Sequence, residues 1–179
     1  MAADHDKIAR IKEQLKSYPD YPKKGILFWD IFPILQQPEY FRMLKDALVV
    51  EAKKISPPVE CVAGLEARGF LFGPLISLEL NVPFVPIRKK GKLPGNLLSV
   101  CYSKEYGQDV LEVQENAIKP GKRVLLVDDL LATGGSLLAS YHLVKKAGAQ
   151  VAASLVIIEL EPLKGRDTLP TDVISLIKL

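Results

Sequence analysis

The sequence predicts an α/β fold: a mostly parallel, twisted sheet flanked by helices. Three observations carry this. Short apolar runs at residues 59–63, 84–87, 124–127 and 151–158 have the length and composition of buried strands. Segments of helical character, residues 70–80 and 136–147, lie between them. Gly148 stands just past the second segment, where a glycine closes a helix. Strands that alternate with helices build a parallel sheet, because each crossover must return the chain to the same edge.

Ahead of the first strand, residues 4–17 place Ile8, Ile11 and Leu15 at helical spacing and run into Y-P-D-Y-P-K-K-G, which cannot continue a helix. A short apolar patch follows at residues 26–32. A helix is expected over residues 38–55, with Pro38 suited to a first helical position. Between residues 97 and 113 polar and apolar positions alternate around Glu105-Tyr106-Gly107, which reads as a mobile antiparallel excursion outside the core. No repeat or composition shift marks a second domain, so residues 1–179 read as one domain.

Composition narrows the function. A formal charge of +3 on 179 residues implies no general affinity for nucleic acid. The strongest apolar run, residues 151–158, is far too short to span a bilayer. The opening M-A-A-D-H-D has neither a basic nor an apolar leader region. Cys61 and Cys101 form no disulfide framework, and they, His5 and His142 lack metal-ligand spacing. A reduced, cytoplasmic location is the expectation.

In open parallel sheets ligands bind beyond the carboxyl ends of the strands. The sharpest such segment is V-L-L-V-D-D-L-L-A-T-G-G-S, residues 124–136. Its glycines allow close backbone approach, and the following helix start offers N–H groups and a positive dipole end, which suit a phosphate. The two aspartates would repel phosphate, but they suit sugar hydroxyls and a nearby divalent cation. A strand followed by an ordinary capped helix would need one capping residue and would explain neither the acidic pair nor the glycine pair. Two further loops follow strands. G-L-E-A-R-G-F, residues 64–70, carries a guanidinium fork suited to phosphate oxygens, and R-K-K-G-K, residues 88–92, is dense in cations.

The segment at residues 124–136 resembles the phosphoribosyl pyrophosphate (PRPP) motif of type I phosphoribosyltransferases, and its wording is similar to that of the adenine phosphoribosyltransferases. The resemblance implies a small N-terminal hood over about residues 1–35 and a flexible antiparallel catalytic loop over about residues 93–113. It implies the reaction adenine + PRPP → AMP + pyrophosphate, with Mg2+ held mainly by PRPP near Asp128 and Asp129. Asp128, Asp129, Leu130, Leu131, Ala132, Thr133, Gly134, Gly135 and Ser136 would hold phosphate and ribose. Arg68, Arg88, Lys89 and Lys92 would surround pyrophosphate, with a cis peptide near Glu66–Ala67. Glu105 would be the acid/base residue and Tyr106 would cover the leaving group.

By the same resemblance Leu27, Phe28, Trp29 and Leu160 would contact adenine, with Phe28 and Leu160 on its two faces. Trp29 departs from the arginine common in the family, and Ser136 replaces the usual threonine while keeping the hydroxyl. A homodimer is implied, with no nucleic acid or membrane partner. A 6-oxopurine enzyme would need a donor such as lysine at the base, which I-I-E-L-E at residues 157–161 lacks. A non-catalytic PRPP-binding regulator would carry an added DNA-binding domain, for which the roughly twenty residues ahead of the apolar patch at residues 26–32 are too few.

Overall fold

The computed structural model describes residues 2–104 and 107–179, with side-chain positions for residues 6–102 and 109–179. The chain divides into two compact units, residues 1–47 and 48–179.

In the first unit, helix α1 (Ala2–Lys12) is followed by strand β1 (Lys16–Pro19), which pairs antiparallel with β2 (Leu27–Asp30). The expected helix over residues 4–17 therefore ends five residues early. Tyr18 precedes a proline, which disfavours helical backbone there, and Ser17 and Tyr18 find partners in Trp29 and Phe28. Asp20 closes the turn by accepting a hydrogen bond from the Gly25 amide at 2.7 Å. A short helix α2 (Phe32–Leu35) leads into α3 (Pro38–Lys53), whose residues from Leu48 onward belong to the second unit and which carries buried Leu44, Leu48 and Ala52 at four-residue spacing.

The second unit contains β3 (Cys61–Leu65), α4 (Gly69–Leu80), β4 (Phe84–Lys89), β5 (Leu97–Lys104), β6 (Gly107–Gln114), β7 (Arg123–Leu131), α5 (Gly135–Lys146), β8 (Gln150–Glu159) and β9 (Val173–Lys178). The sheet order is β5-β6-β4-β3-β7-β8-β9. Strands β4, β3, β7, β8 and β9 are parallel, and β5 and β6 complete the edge antiparallel. Helix α4 packs on β3 and β7, while α5 packs on β5, β6, β7 and β8. Past α5, Gly148 takes a φ of +77°, as its helix-closing role requires.

Three expectations need correction. The stem of residues 97–113 is core rather than an excursion, because β6 pairs with β4 through Arg88↔Glu112 and buries Leu111 and Val113. Strand β7 does not stop at Val127, since β8 supplies pairing partners as far as Leu131↔Glu159. The edge strand β9 has no counterpart among the expected elements.

The centre of β7 is fully buried: Val124, Leu125, Leu126 and Val127 are each 0% exposed. Leu126→Ala removes packing that the interior cannot replace, and should cost about 2–5 kcal/mol. Urea unfolding followed by circular dichroism will check this; a loss below 1 kcal/mol would mean that the site collapses around the gap.

Candidate functional site

Strands β4, β3 and β7 are neighbours and run the same way, so the segments at their carboxyl ends emerge together. These segments are the ones the sequence marked: residues 66–68, 88–92 and 128–136. β7 pairs with β3 only as far as Gly64↔Val127, yet continues beside β8 to Leu131. From Asp128 onward its β3 side is therefore open, and Arg68 enters there. The Arg68 guanidinium Nε lies 2.6 Å from Asp129 Oδ2. Asp129 is buried at 4% exposure, so its charge needs a partner. Beside it, burial raises the pKa of the Asp128 carboxyl well above the ordinary value, and the neighbouring Asp129 carboxylate adds to the effect.

The loop after β3 contains a cis peptide at Glu66–Ala67, as the resemblance implies. Its glutamate gathers the basic turn around itself, a role the sequence did not reveal. Glu66 accepts hydrogen bonds from Arg88 Nε and Nη2 (both 3.3 Å), the Lys89 amide (3.0 Å) and Lys92 Nζ (2.6 Å). Burial alone would raise its pKa. The hydrogen bonds from Lys92, from the Lys89 backbone and from Arg88 outweigh burial and bring it down to about 2. The partners lie more than twenty residues away, so no local pattern could have revealed them.

The basic turn is fixed from other directions as well. Arg88 Nη1 donates to Lys92 O at 2.9 Å, and the Gly91 amide donates to the buried Glu112 carboxylate at 2.8 Å. Lys89 Nζ lies 3.5 Å from Asp109 Oδ2. Arg68, Arg88, Lys89 and Lys92, the four cations expected to meet pyrophosphate, are thus each held beside a carboxylate.

Residues 132–136 turn from β7 into α5. Gly134 adopts a φ of +86° at the N-cap, where no side chain caps the helix. The first-turn amides of α5 are left to a ligand or to solvent. Thr133 is exposed, and Ser136 is half-buried with its Oγ 3.3 Å from Tyr102 Oη of β5. Tyr102 is a second residue that the sequence did not single out. Leu130 is half-buried, whereas the Leu131 side chain belongs to the hydrophobic core.

Leu27, Phe28 and Trp29 form β2 of the first unit, with Leu27 exposed and Phe28 packed edge-on against Tyr21 at 5.2 Å between centroids. Leu160, in the second unit, follows β8, and its amide donates to Leu131 O at 2.9 Å. Glu105 and Tyr106 lie outside the described residues.

Among the described residues no cluster of three or more His, Cys, Asp or Glu side chains could hold a metal ion. The donors present beside the glycine turn at residues 132–136, Asp128 and Asp129, are hard carboxylate oxygens. That chemistry suits a magnesium that keeps its waters and is bound through one or two carboxylates and a substrate's phosphates.

A parallel sheet with an acidic pair and a glycine loop at one strand end defines a phosphoribosyltransferase, and the phosphoribosyl transferase domain family model matches residues 35–177. Two relatives share this character along nearly the whole chain. The adenine phosphoribosyltransferase of Drosophila pseudoobscura pseudoobscura is 51% identical over 173 residues, 97% of this chain and 96% of its own. That of Caenorhabditis elegans is 52% identical over 161 residues, 90% of this chain and 87% of its own. A crystal structure of the Saccharomyces cerevisiae adenine phosphoribosyltransferase, complexed with adenine and an imino-altritol bisphosphate, superposes with a TM-score of 0.93. It is 42% identical and the match covers 96% of this chain and 99% of that one. The chain belongs to the phosphoribosyltransferase family, among its adenine phosphoribosyltransferases.

The Glu66 cluster has a pH signature. Its carboxyl is held at about 2 against an ordinary 4.5, so the stabilisation is complete above 4.5 and is lost as pH falls towards 2. The unfolding midpoint of Glu66→Gln should lie below that of the unaltered protein near neutral pH. The gap should close on acidification through that window. A gap that persists unchanged at about pH 2.5 would show that Glu66 does not stabilise the fold as an anion.

Proposed function

We propose that this protein transfers the phosphoribosyl group of PRPP to adenine, giving AMP and pyrophosphate for purine salvage, with Mg2+ and as a cytoplasmic homodimer. The observation that carries the reading is the arrangement at the end of β7: two carboxylates, then an uncapped helix start behind a glycine turn, with Arg68 alongside. A ligand with a terminal phosphate, a ribose and a diphosphate answers each of these features in order.

In this reading the amides and hydroxyls of residues 132–136 hold the 5′-phosphate, and Asp128 and Asp129 accept hydrogen bonds from the ribose hydroxyls. Arg68 exchanges Asp129 for pyrophosphate. Arg88, Lys89 and Lys92 stabilise the negative charge that builds up as the C1′–O bond breaks. The purine nitrogen attacks C1′ with inversion, and its proton passes to Glu105, while Tyr106 covers the leaving group. The resemblance assigns Leu27, Phe28, Trp29 and Leu160 to adenine. Asp128 and Asp129 are the residues that would face the magnesium, which supplies charge neutralisation on the diphosphate. The remaining work is positioning and exclusion of water.

The location and assembly have their own support. Cys61 and Cys101 form no disulfide, as suits a reducing compartment. No helix among the described residues is long and apolar enough to cross a membrane. Large apolar side chains stand exposed in the first unit, among them Tyr21 at 57% and Phe32 at 46%, a surface that association with a second copy would cover.

An absorbance assay with PRPP and magnesium, offering adenine, hypoxanthine and guanine separately, should give a nucleotide product with adenine only. Glu105→Gln should then lower kcat by about 10²–10⁴-fold, the usual contribution of an acid/base group. Turnover with the oxopurines alone would sink the base assignment and leave the PRPP site standing.

A further inference from the structure

The phosphate loop rests on a wall supplied by another part of the chain. Between β8 and β9 lie two single turns of 3-10 helix, Glu161–Leu163 and Gly165–Thr168. The second turn sits directly behind residues 132–134. A Cβ on Gly165 would run into the carbonyl oxygen of Ala132 and lie 2.9 Å from the amide nitrogen of Gly134. A Cβ on Gly134 would lie 2.6 Å from Gly165 O and would also meet Thr168 Oγ1. Backbone meets backbone here, and only glycine on both sides permits it.

Thr168 ties the two layers together. Its Oγ1 donates to Gly165 O at 2.8 Å and lies 3.4 Å from Thr133 O. The wall is itself anchored to the sheet by Arg166. Arg166 Nε donates to Glu159 Oε1 at 2.9 Å, Nη2 to Glu159 Oε2 at 2.5 Å, and Nη1 to Val173 O at 2.5 Å. Glu159 ends β8 and Val173 begins β9, so this bidentate fork joins the wall to two strands.

We propose that Gly165 and Thr168 are positioning residues for the 5′-phosphate, holding the backbone of residues 132–134 so that the amides at the start of α5 converge on it. This rests on the reading of residues 132–136 as the phosphate loop. An anion bound through several N–H groups is sensitive to their direction, and a displacement of about 1 Å in a positioned group can cost on the order of 10²-fold. Neither residue touches the ligand. Their effect must therefore appear only where the ligand carries the phosphate.

Calorimetric titration of the full chain with AMP and with adenosine separates that effect from general loosening. In Gly165→Ala, AMP affinity should fall about tenfold or more while adenosine affinity stays within about twofold. Thr168→Val should lose AMP affinity several-fold, and Thr168→Ser, which keeps the hydroxyl, should restore it. Circular dichroism reports whether each variant folds; should Gly165→Ala not fold, the Thr168 pair decides alone. An unchanged preference for AMP over adenosine in the folded variants overturns the proposal, as does equal weakening of both ligands. An unaltered protein with no preference for AMP would overturn the phosphate-loop reading itself. That outcome is read on a different sample, so the two failures cannot be confused.

Discussion

The carboxyl end of β7 is the constraint on which the site depends. The strand must be apolar and paired on both sides as far as Val127, because it runs through the middle of the sheet. Beyond Val127 only β8 pairs with it, and on the side that β3 leaves unpaired Arg68 meets Asp129. Carboxylates are tolerable there and nowhere earlier, since an unpaired charge in the preceding four residues would face a dry interior. Asp128 and Asp129 thus stand at the first positions where the sheet permits charge. There burial and mutual repulsion already act on Asp128, raising its pKa.

Gathering several cations at one strand end is a related problem, because like charges disperse unless something collects them. Here carboxylates do so, but with unequal strength. Glu66 is 10% exposed and receives four hydrogen bonds, from Arg88, Lys92 and the Lys89 backbone. Removing one partner from such a cluster leaves a buried charge uncompensated, which is strongly unfavourable. The Arg68–Asp129 pair is a simpler contact on a third-exposed arginine. In the proposed reading it is Arg68 that exchanges its carboxylate partner for pyrophosphate. The Glu66 cluster acts as a frame that keeps Arg88 and Lys92 in place. Preorganised charge of this kind stabilises a developing anion without the cost of gathering the cations during reaction.

Much of this was legible in the sequence where the physics is local. A buried strand, an acidic pair and a glycine-rich helix start follow one another within residues 124–136, and each is recognisable without knowing its neighbours. The same holds for the strand–helix alternation and for Gly148. What escaped depends on distant partners. Glu66 reads as a loop glutamate until Arg88 and Lys92 are brought to it by the β3–β4 pairing. Lys16–Pro19 reads as the tail of a helix until β2 pairs with it. Leu111 and Val113 read as the outer half of an excursion until Arg88↔Glu112 zips β6 onto the sheet.

Gly134 shows how one residue can be read correctly for an incomplete reason. The local argument asks for glycine so that the backbone can turn and approach a phosphate, and its φ of +86° agrees. The structure adds a second demand from behind, where Gly165 and Thr168 leave no room for a side chain. The loop is therefore confined on its far side as well as open on its ligand side. The same crossover also carries Leu160, whose amide is bound to Leu131 O at the end of β7. Leu160 is thus tied to the last residue of the strand from which the loop at residues 132–136 departs. In the proposed reading the base end and the phosphate end of the nucleotide are both referred to that one anchor in the sheet. Recognition of both ends by such a site rewards a ligand of the right length more than either contact would alone.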